Sequence, residues 1–582
     1  MASLQRVRVR GHSYWRLVES KRVNGKPRPI VVAYLGKPDD LLARLRATDS
    51  LSLQSRSHGA VAALYTLATD LDLAGTIDRH LVSSGRRLRR RPQGLPPDTP
   101  VPPAHHDGLS VGESLLLAAI GRVCHATSKR GFAVWARTTT LKELAQVDVE
   151  RLTSQHFWDQ MDQLPIETIG PIEKELLGRV LDHFQLPLDT LLYDATNFFT
   201  FIASTNMRPK LPARGHNKQK RHDLRQLGVA LLCTRQDQVP LWHQLYGGQI
   251  PDAKSFPDAV TALSQRLVEL GRDLEALTLV YDKGNISRSN QQQVDSSKLH
   301  YVAAVSSASQ RALVTEANSK WQAVVIDEGT EDEAEREVMA YRTRRNILGA
   351  ERTVVVVHSR RLQEGQKRGV LQHVASAQRW LERLSATLER GKQRRDRLRI
   401  QHDIETRLRG RQHLRKVLHI KLEESQGKLS LSHEFDQAAL ETLEREWLGR
   451  IVLMTDRDDW STAEIIRGYR GQSQVEAVFA HLKDPVHIML RPQFHWTDQK
   501  LHVHVFICLL AYLLARLLHL HARRETGYPH SMERLIEDLE QVRRVRVARR
   551  SEIGKGRWRV TSQLEPCSPE LETLLTSLRV KA

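Results

Sequence analysis

Three acidic residues are set apart by what surrounds them. Asp194 and Asp282 each close an apolar run, Leu191-Leu192-Tyr193-Asp194 and Leu277-Thr278-Leu279-Val280-Tyr281-Asp282, so each is expected at the end of a buried strand. Glu476 lies in residues 465–484, which no Pro interrupts and which one helix could hold. At 3.6 residues per turn, Tyr469, Gln472, Glu476, Phe479 and Lys483 fall on a single stripe of that helix. The stripe carries one carboxylate flanked by a phenol, an amide and an ammonium, with one aromatic that can pack beneath. Two acidic strand ends and an acidic helix after a final strand can form a divalent-metal site. Carboxylate oxygens suit Mg2+, with Mn2+ as the alternative, and such an ion keeps waters and shares its ligands with phosphate. Two ions about 4 Å apart can activate an attacking water or hydroxyl and stabilise the leaving oxygen in phosphoryl transfer. Asp456, Asp458 and Asp459 are rivals, but they follow a strand in an apparent loop, and Asp223 and Asp237 sit in a loop and a turn.

The elements that must position these residues follow from changes of period. Residues 6–36 alternate as strands, with a hairpin turning at Asn24-Gly25. Residues 57–81 have helical spacing. Residues 83–108 contain six of the 22 prolines and the basic run 86–91, and read as an exposed linker or long loop. Helical patterns return at 111–123, 141–144 and 166–184, with a basic and aromatic stretch at 129–137 that is either DNA-facing or core. Past Leu188 the pattern is strand, strand, strand, helix, strand, over 191–196, 227–233, 239–246, 255–270 and 277–282, the second and third strands forming a hairpin and Ser255 capping the helix. Residues 283–448 break the alternation. They offer strands at 301–305 and 353–357, long basic helices over 359–415, a strand pair at 417–422 and 428–431, and a helix at 435–448. A last buried strand, 450–456, directly precedes the Glu476 helix.

The totals narrow the class. A chain of 582 residues suggests two to four domains, and 40% hydrophobic with 27% charged residues fits globular protein. A net charge of +20 favours a polyanionic partner, nucleic acid being the commonest. The four cysteines are scattered, with neither zinc-site spacing nor a disulfide framework. There is no signal-peptide pattern, and the apolar run 505–515 is too short to span a bilayer and suits a buried helix. The expected setting is a reducing cytoplasm, with no membrane partner and no small-molecule cofactor.

In combination, Tyr193-Asp194-Ala195-Thr196, Tyr281-Asp282-Lys283-Gly284-Asn285 and the stripe 469–483 resemble a bacterial insertion-sequence transposase of the DDE superfamily. One branch of that superfamily carries Tyr, two residues, Arg, three residues, Glu, six residues, Lys. Here those places hold Tyr469, Gln472, Glu476 and Lys483. The N-terminal hairpin, the loop Gly215-His216-Asn217-Lys218 and Arg491-Pro492 add to the resemblance, which runs from about residue 10 to 520. It implies an RNase H-like core in which Asp194, Asp282 and Glu476 hold two Mg2+ ions. It also implies that Tyr469, Gln472 and Lys483 contact DNA, with Arg470 and Lys218 as further basic candidates. Gln472 departs from the branch, because an amide lacks the charged fork of arginine.

The resulting expectation is a multidomain α/β protein. Residues 1–187 would be a hairpin and helical region binding DNA ends, and 188–285 with 449–520 an RNase H-like mixed-sheet core. An insertion would occupy 286–448 and a helical tail 521–582. Its expected function is to hydrolyse phosphodiesters at the terminal inverted repeats and join the freed 3′-hydroxyl to target DNA, as a homodimer on DNA in a bacterial, nucleoid-associated setting. The alternatives are a transposase-derived DNA-binding protein without activity and a nuclease without strand transfer.

Overall fold

The computed structural model describes residues 2–9, 12–23, 26–39, 42, 50–83, 108–203, 205–217, 219–327, 336–390, 396–410, 413–425, 428–490, 494–550 and 558–581. The chain opens with a three-stranded antiparallel sheet of β1 (Ala2–Val9), β2 (His12–Val23) and β3 (Lys26–Gly36). Val23 pairs with Lys26 across the hairpin, and Asn24 and Gly25, where the turn is expected, lie outside the described residues. β4 (Ser50–Ser57) leads into the Gly59–Asp70 and Leu73–Ser83 helices, parted where Asp72 takes a left-handed φ of 49°. The stretch read as a linker, with its basic run 86–91, falls almost wholly outside the described residues.

The centre is a nine-stranded mixed sheet. Its strands are β5 (Thr190–Thr200), β6 (Arg225–Thr234), β7 (Pro240–Gly247), β8 (Thr278–Tyr281), β9 (His300–Val305), β10 (Gln322–Val325), β11 (Glu337–Ile347) and β12 (Ala350–His358). After an outlying hairpin of β13 (Leu418–Ser425) and β14 (Lys428–Phe435), β15 (Arg450–Thr455) completes it. The spatial order is β10-β11-β12-β15-β9-β8-β5-β6-β7. β5, β8 and β9 run parallel, and every other pairing is antiparallel. All four residues of β8 and nine of the ten in β6 are buried, as continuous apolar strands are when helices cover both faces.

Several boundaries differ from the sequence reading. The stretch assigned to an insertion, 286–448, divides in two. Residues 300–358 supply four strands of the central sheet, and the remainder packs around its own core of Val370, Val374, Leu381, Ile404, Leu431 and Leu440. From Ala60 onward, helices of the region 1–187 share a core with the sheet that runs to Leu578, and a smaller cluster around Phe132, Leu141 and Phe157 lies beside it. The tail 521–582 is not wholly helical. β16 (Arg543–Arg550) and β17 (Arg559–Leu564) pair with β4 in a third sheet, bringing the two ends of the chain together. Pro251, rather than Ser255, precedes the Asp252–Glu269 helix, and the Ser255 hydroxyl donates back to the Asp252 carbonyl at 2.9 Å.

The apolar run near residue 510 belongs to the Asp498–Thr526 helix, which is long and apolar enough to cross a membrane. Yet 89% of its apolar window is buried, between the sheet and the N-terminal helices, so it serves here as a core helix. The basic and aromatic stretch 129–137 is also core at its aromatic positions. Phe132 is buried and meets Trp135 and Phe157 edge to face, with ring centroids 5.4 and 4.8 Å away.

Candidate active site

Asp194 and Asp282 are brought together by the parallel pairing of β5 with β8. Leu192 lies opposite Val280, and carrying that register on by two residues sets Asp194 beside Asp282 on the same face. Asp282 directly follows β8, as expected. Asp194 does not end its strand, because β5 continues to Thr200. It sits instead where the parallel ladder ends, and beyond it β5 is held on one side only, by β6.

The stretch carrying Glu476 is two helices, Thr462–Arg470 and Gln472–Lys483, rather than one. Gly471 joins them with helical angles, φ −55° and ψ −21°, so the stripe from Tyr469 to Lys483 survives the break. A Cβ at Gly471 would stand 2.9 Å from Cγ of Arg235 and 3.0 Å from the Gly468 carbonyl oxygen. Glycine is thus required there for close packing against the turn after β6. The first helix lies over β8, β9, β12 and β15, and the second along β5 and β6.

Three residues of the stripe bind the strands that carry the aspartates. The Tyr469 hydroxyl donates to Oδ1 of Asp282 at 3.1 Å, and the Gln472 amide donates to the Tyr193 carbonyl at 3.2 Å. Lys483 Nζ donates to Oγ1 of Thr196 at 2.7 Å and lies 5.3 Å from the Phe198 ring centre. Phe479 packs beneath the stripe in the core. Glu476 lies between these anchors and is exposed, while Asp194 and Asp282 are half-buried. Arg470, the last residue of the first helix, is half-buried and off the stripe. Lys218 lies outside the described residues; its neighbour Asn217 is buried and closes the loop by accepting from the Arg221 backbone N–H at 2.8 Å.

The carboxylates interact electrostatically. Burial pushes the Asp194 carboxyl up to about 7, against a backbone N–H from Ala195, and the negative charges of Glu476, Asp282 and Asp252 push the same way. Burial also raises the Tyr469 phenol, helped by Asp282 and Glu476. Among the described residues, no three His, Cys, Asp or Glu side chains form a ready-made metal cage. The group is a set of neighbouring carboxylates, one of which holds its proton unusually tightly.

The rival acids lie elsewhere. β15 runs antiparallel to β9, so the loop after β15 emerges at the edge of the sheet opposite Asp282. There Asp456 accepts from the Tyr301 backbone N–H at 3.0 Å, and Asp458 pairs with Arg344 at 2.6 Å. Asp223 is exposed and paired with Arg221 at 2.7 Å, and the Asp237 carboxylate is 3.7 Å from Arg524. Asp252 is the acid that sequence reasoning overlooked. It opens the helix after β7, accepts from the Tyr246 hydroxyl at 2.6 Å and adds to the field at Asp194. Its signal was the Pro251-Asp252 helix start, which by itself marks a cap rather than a site.

No protein-family model and no curated protein matches the chain. Among solved structures, the piggyBac transposase synaptic complex with hairpin DNA is a distant neighbour. The TM-score is 0.37 and the identity 9%, over 83% of this chain and 79% of that one.

Proposed function

We propose that this protein is a DDE-type DNA transposase whose Asp194, Asp282 and Glu476 serve metal-dependent phosphoryl transfer. The observation that carries the reading is the placement of three carboxylates by two adjacent parallel strands and a helix lying along one of them, which sets Asp282 and Glu476 close enough to act on Asp194. The order β7-β6-β5-β8-β9, an antiparallel meander followed by two parallel strands, supports an RNase H-like core. The net charge of +20 supports a DNA substrate.

The donor set suits a divalent cation of the Mg2+ type, for which Asp194, Asp282 and Glu476 would be the ligands. Asp194 is largely buried and lies in the field of Glu476, Asp282 and Asp252, a concentration of negative charge that a cation would relieve. When bound, such ions lower the pKa of an attacking water and steady the leaving oxygen. The chain's own part is positional. Tyr469 fixes the rotamer of Asp282, Gln472 fixes the backbone immediately before Asp194, and Lys483 fixes the strand two residues beyond it.

The test is Glu476→Gln and Asp194→Asn in full-length protein with Mg2+, assayed on DNA carrying the element ends. Both variants should lose cleavage while still binding DNA. Cleavage near the wild-type rate in Glu476→Gln would remove Glu476 from the site. Cleavage by the wild type without joined product would leave a nuclease and overturn transposition.

A further inference from the structure

The third sheet, β4-β16-β17, lies outside the candidate active site and has an unusual composition. Seven of its 22 residues are arginine, namely Arg56, Arg543, Arg544, Arg546, Arg549, Arg550 and Arg559, and none is acidic. The register opposes like charges directly. Arg544 pairs with Arg56 across one edge of β16, and Arg549 with Arg559 across the other. Facing like charges destabilise an antiparallel pair. Arg56 is relieved by Glu143 at 2.6 Å, and Arg544 donates to the Ser562 hydroxyl at 2.8 Å. Arg546, Arg549 and Arg559 are exposed and have no carboxylate partner among the described residues.

The sheet is firmly mounted. The backbone N–H groups of His58 and Gly59 donate to the Val542 carbonyl at 2.9 and 3.1 Å, and Ser57 N–H donates to the Thr138 carbonyl at 2.9 Å. Beyond that base the outer strands are open, with residues 52–55 and 559–563 all exposed. Strands about 4.8 Å apart make this ribbon roughly 10 Å across, comparable with the major groove, about 12 Å wide, which admits a β-ribbon.

Side chains alternate along a strand, so Arg549 and Arg559 share one face of the sheet and Arg546 lies on the other. We infer that the face of the β4-β16-β17 sheet carrying Arg549 and Arg559 is a docking surface for duplex DNA, whose phosphates turn the opposed like charges into shared contacts. It is a platform separate from the acidic site and contributes no catalytic residue. The choice of DNA among polyanions rests on the function proposed above; the surface itself rests on charge and register.

The experiment compares the wild-type chain with the double variant Arg549→Gln, Arg559→Gln, and with Arg546→Gln on the opposite face as the control. Binding of a fluorescent duplex is followed by anisotropy from 0.05 to 0.4 M salt, and thermal unfolding is recorded without DNA. Each lost phosphate contact lowers the slope of log affinity against log salt by about 0.9, so in the double variant the slope should fall by nearly two and affinity by on the order of thirtyfold at 0.15 M, with Arg546→Gln close to wild type. Removing the Arg549–Arg559 opposition should leave the melting temperature unchanged or higher, which a purely structural role for these arginines would not do. Unchanged affinity and slope would overturn the inference. So would unchanged DNA binding together with lost binding to vesicles of anionic lipid, which would make the sheet a membrane-facing surface. Wild-type protein that binds but never cuts DNA carrying the element ends in Mg2+ would refute the proposed chemistry, and the docking surface would stand if the double variant still lost binding.

Discussion

Replacing Lys129 with methionine should stabilise this protein, by an amount that depends on pH. Lys129 lies in a stretch whose basic and aromatic residues read equally well as a DNA-facing element, yet its ammonium is enclosed. Nζ contacts Nε2 of His495 at 3.0 Å and lies 4.8 Å from the Trp158 ring centre, with Arg122 and Lys500 nearby. Burial, aided by those two cations, lowers its pKa from 10.5 to about 7. At pH 7 that fall corresponds to about 4 kcal/mol of unfavourable ionisation. Part of the residue still meets solvent, and methionine cannot replace the bond to His495, so about 2 kcal/mol of net gain is the working figure.

The sign of the pH dependence follows from proton counts. Unfolded Lys129 keeps its proton up to about 10.5 whereas the folded residue loses it near 7, so the unfolded state binds more protons in that window. Wild-type stability therefore rises with pH there, and the advantage of Lys129→Met shrinks to about 1 kcal/mol at pH 9. Burial keeps His495 and His504 neutral well below neutral pH, and raises the Cys508 thiol. Urea unfolding of both proteins at pH 7, 8 and 9 measures the difference, and DNA affinity should not change. Destabilisation at every pH, or a tenfold loss of DNA affinity, would refute the burial argument and return Lys129 to the surface.

Two further substitutions probe the Glu476 helix. Gly471→Ala should cost about 1–3 kcal/mol by urea unfolding, because its Cβ meets the Arg235 stem and the Gly468 carbonyl; a cost below 0.5 kcal/mol would show that the approach is looser than it looks. Gln472→Ala removes one hydrogen bond to the Tyr193 carbonyl, worth about 1 kcal/mol, so cleavage should slow about fivefold with DNA affinity unchanged. Weaker DNA binding with normal turnover would instead make Gln472 a DNA contact.

Much of the secondary structure was legible because local pattern and burial agree. Runs such as Leu227–Cys233 and Leu277–Tyr281 can only be strands buried on both faces, and the 166–184 periodicity returns as the Ile166–Phe184 helix. The misreadings share one cause, contacts between residues distant in sequence. Nothing near Arg543 shows that it will pair with Ser57, almost five hundred residues earlier, so a strand rich in arginine passed for helical tail. The close approach of Arg235 to Gly471 is made by the fold, and Asp194 falls within a longer strand because β6 outlasts β8 as its partner.

The sequence by itself determined the charge, the apolar strands, the amphipathic stripe and the three acids worth attention, since each depends on spacing along the chain. Only the tertiary structure decided that Asp194 stands beside Asp282, that Asp456 is at the far edge, and that Gln472 holds a backbone carbonyl. Those depend on strand register and direction, which are fixed by pairing free energy across the sheet and leave no mark in the local order of residues.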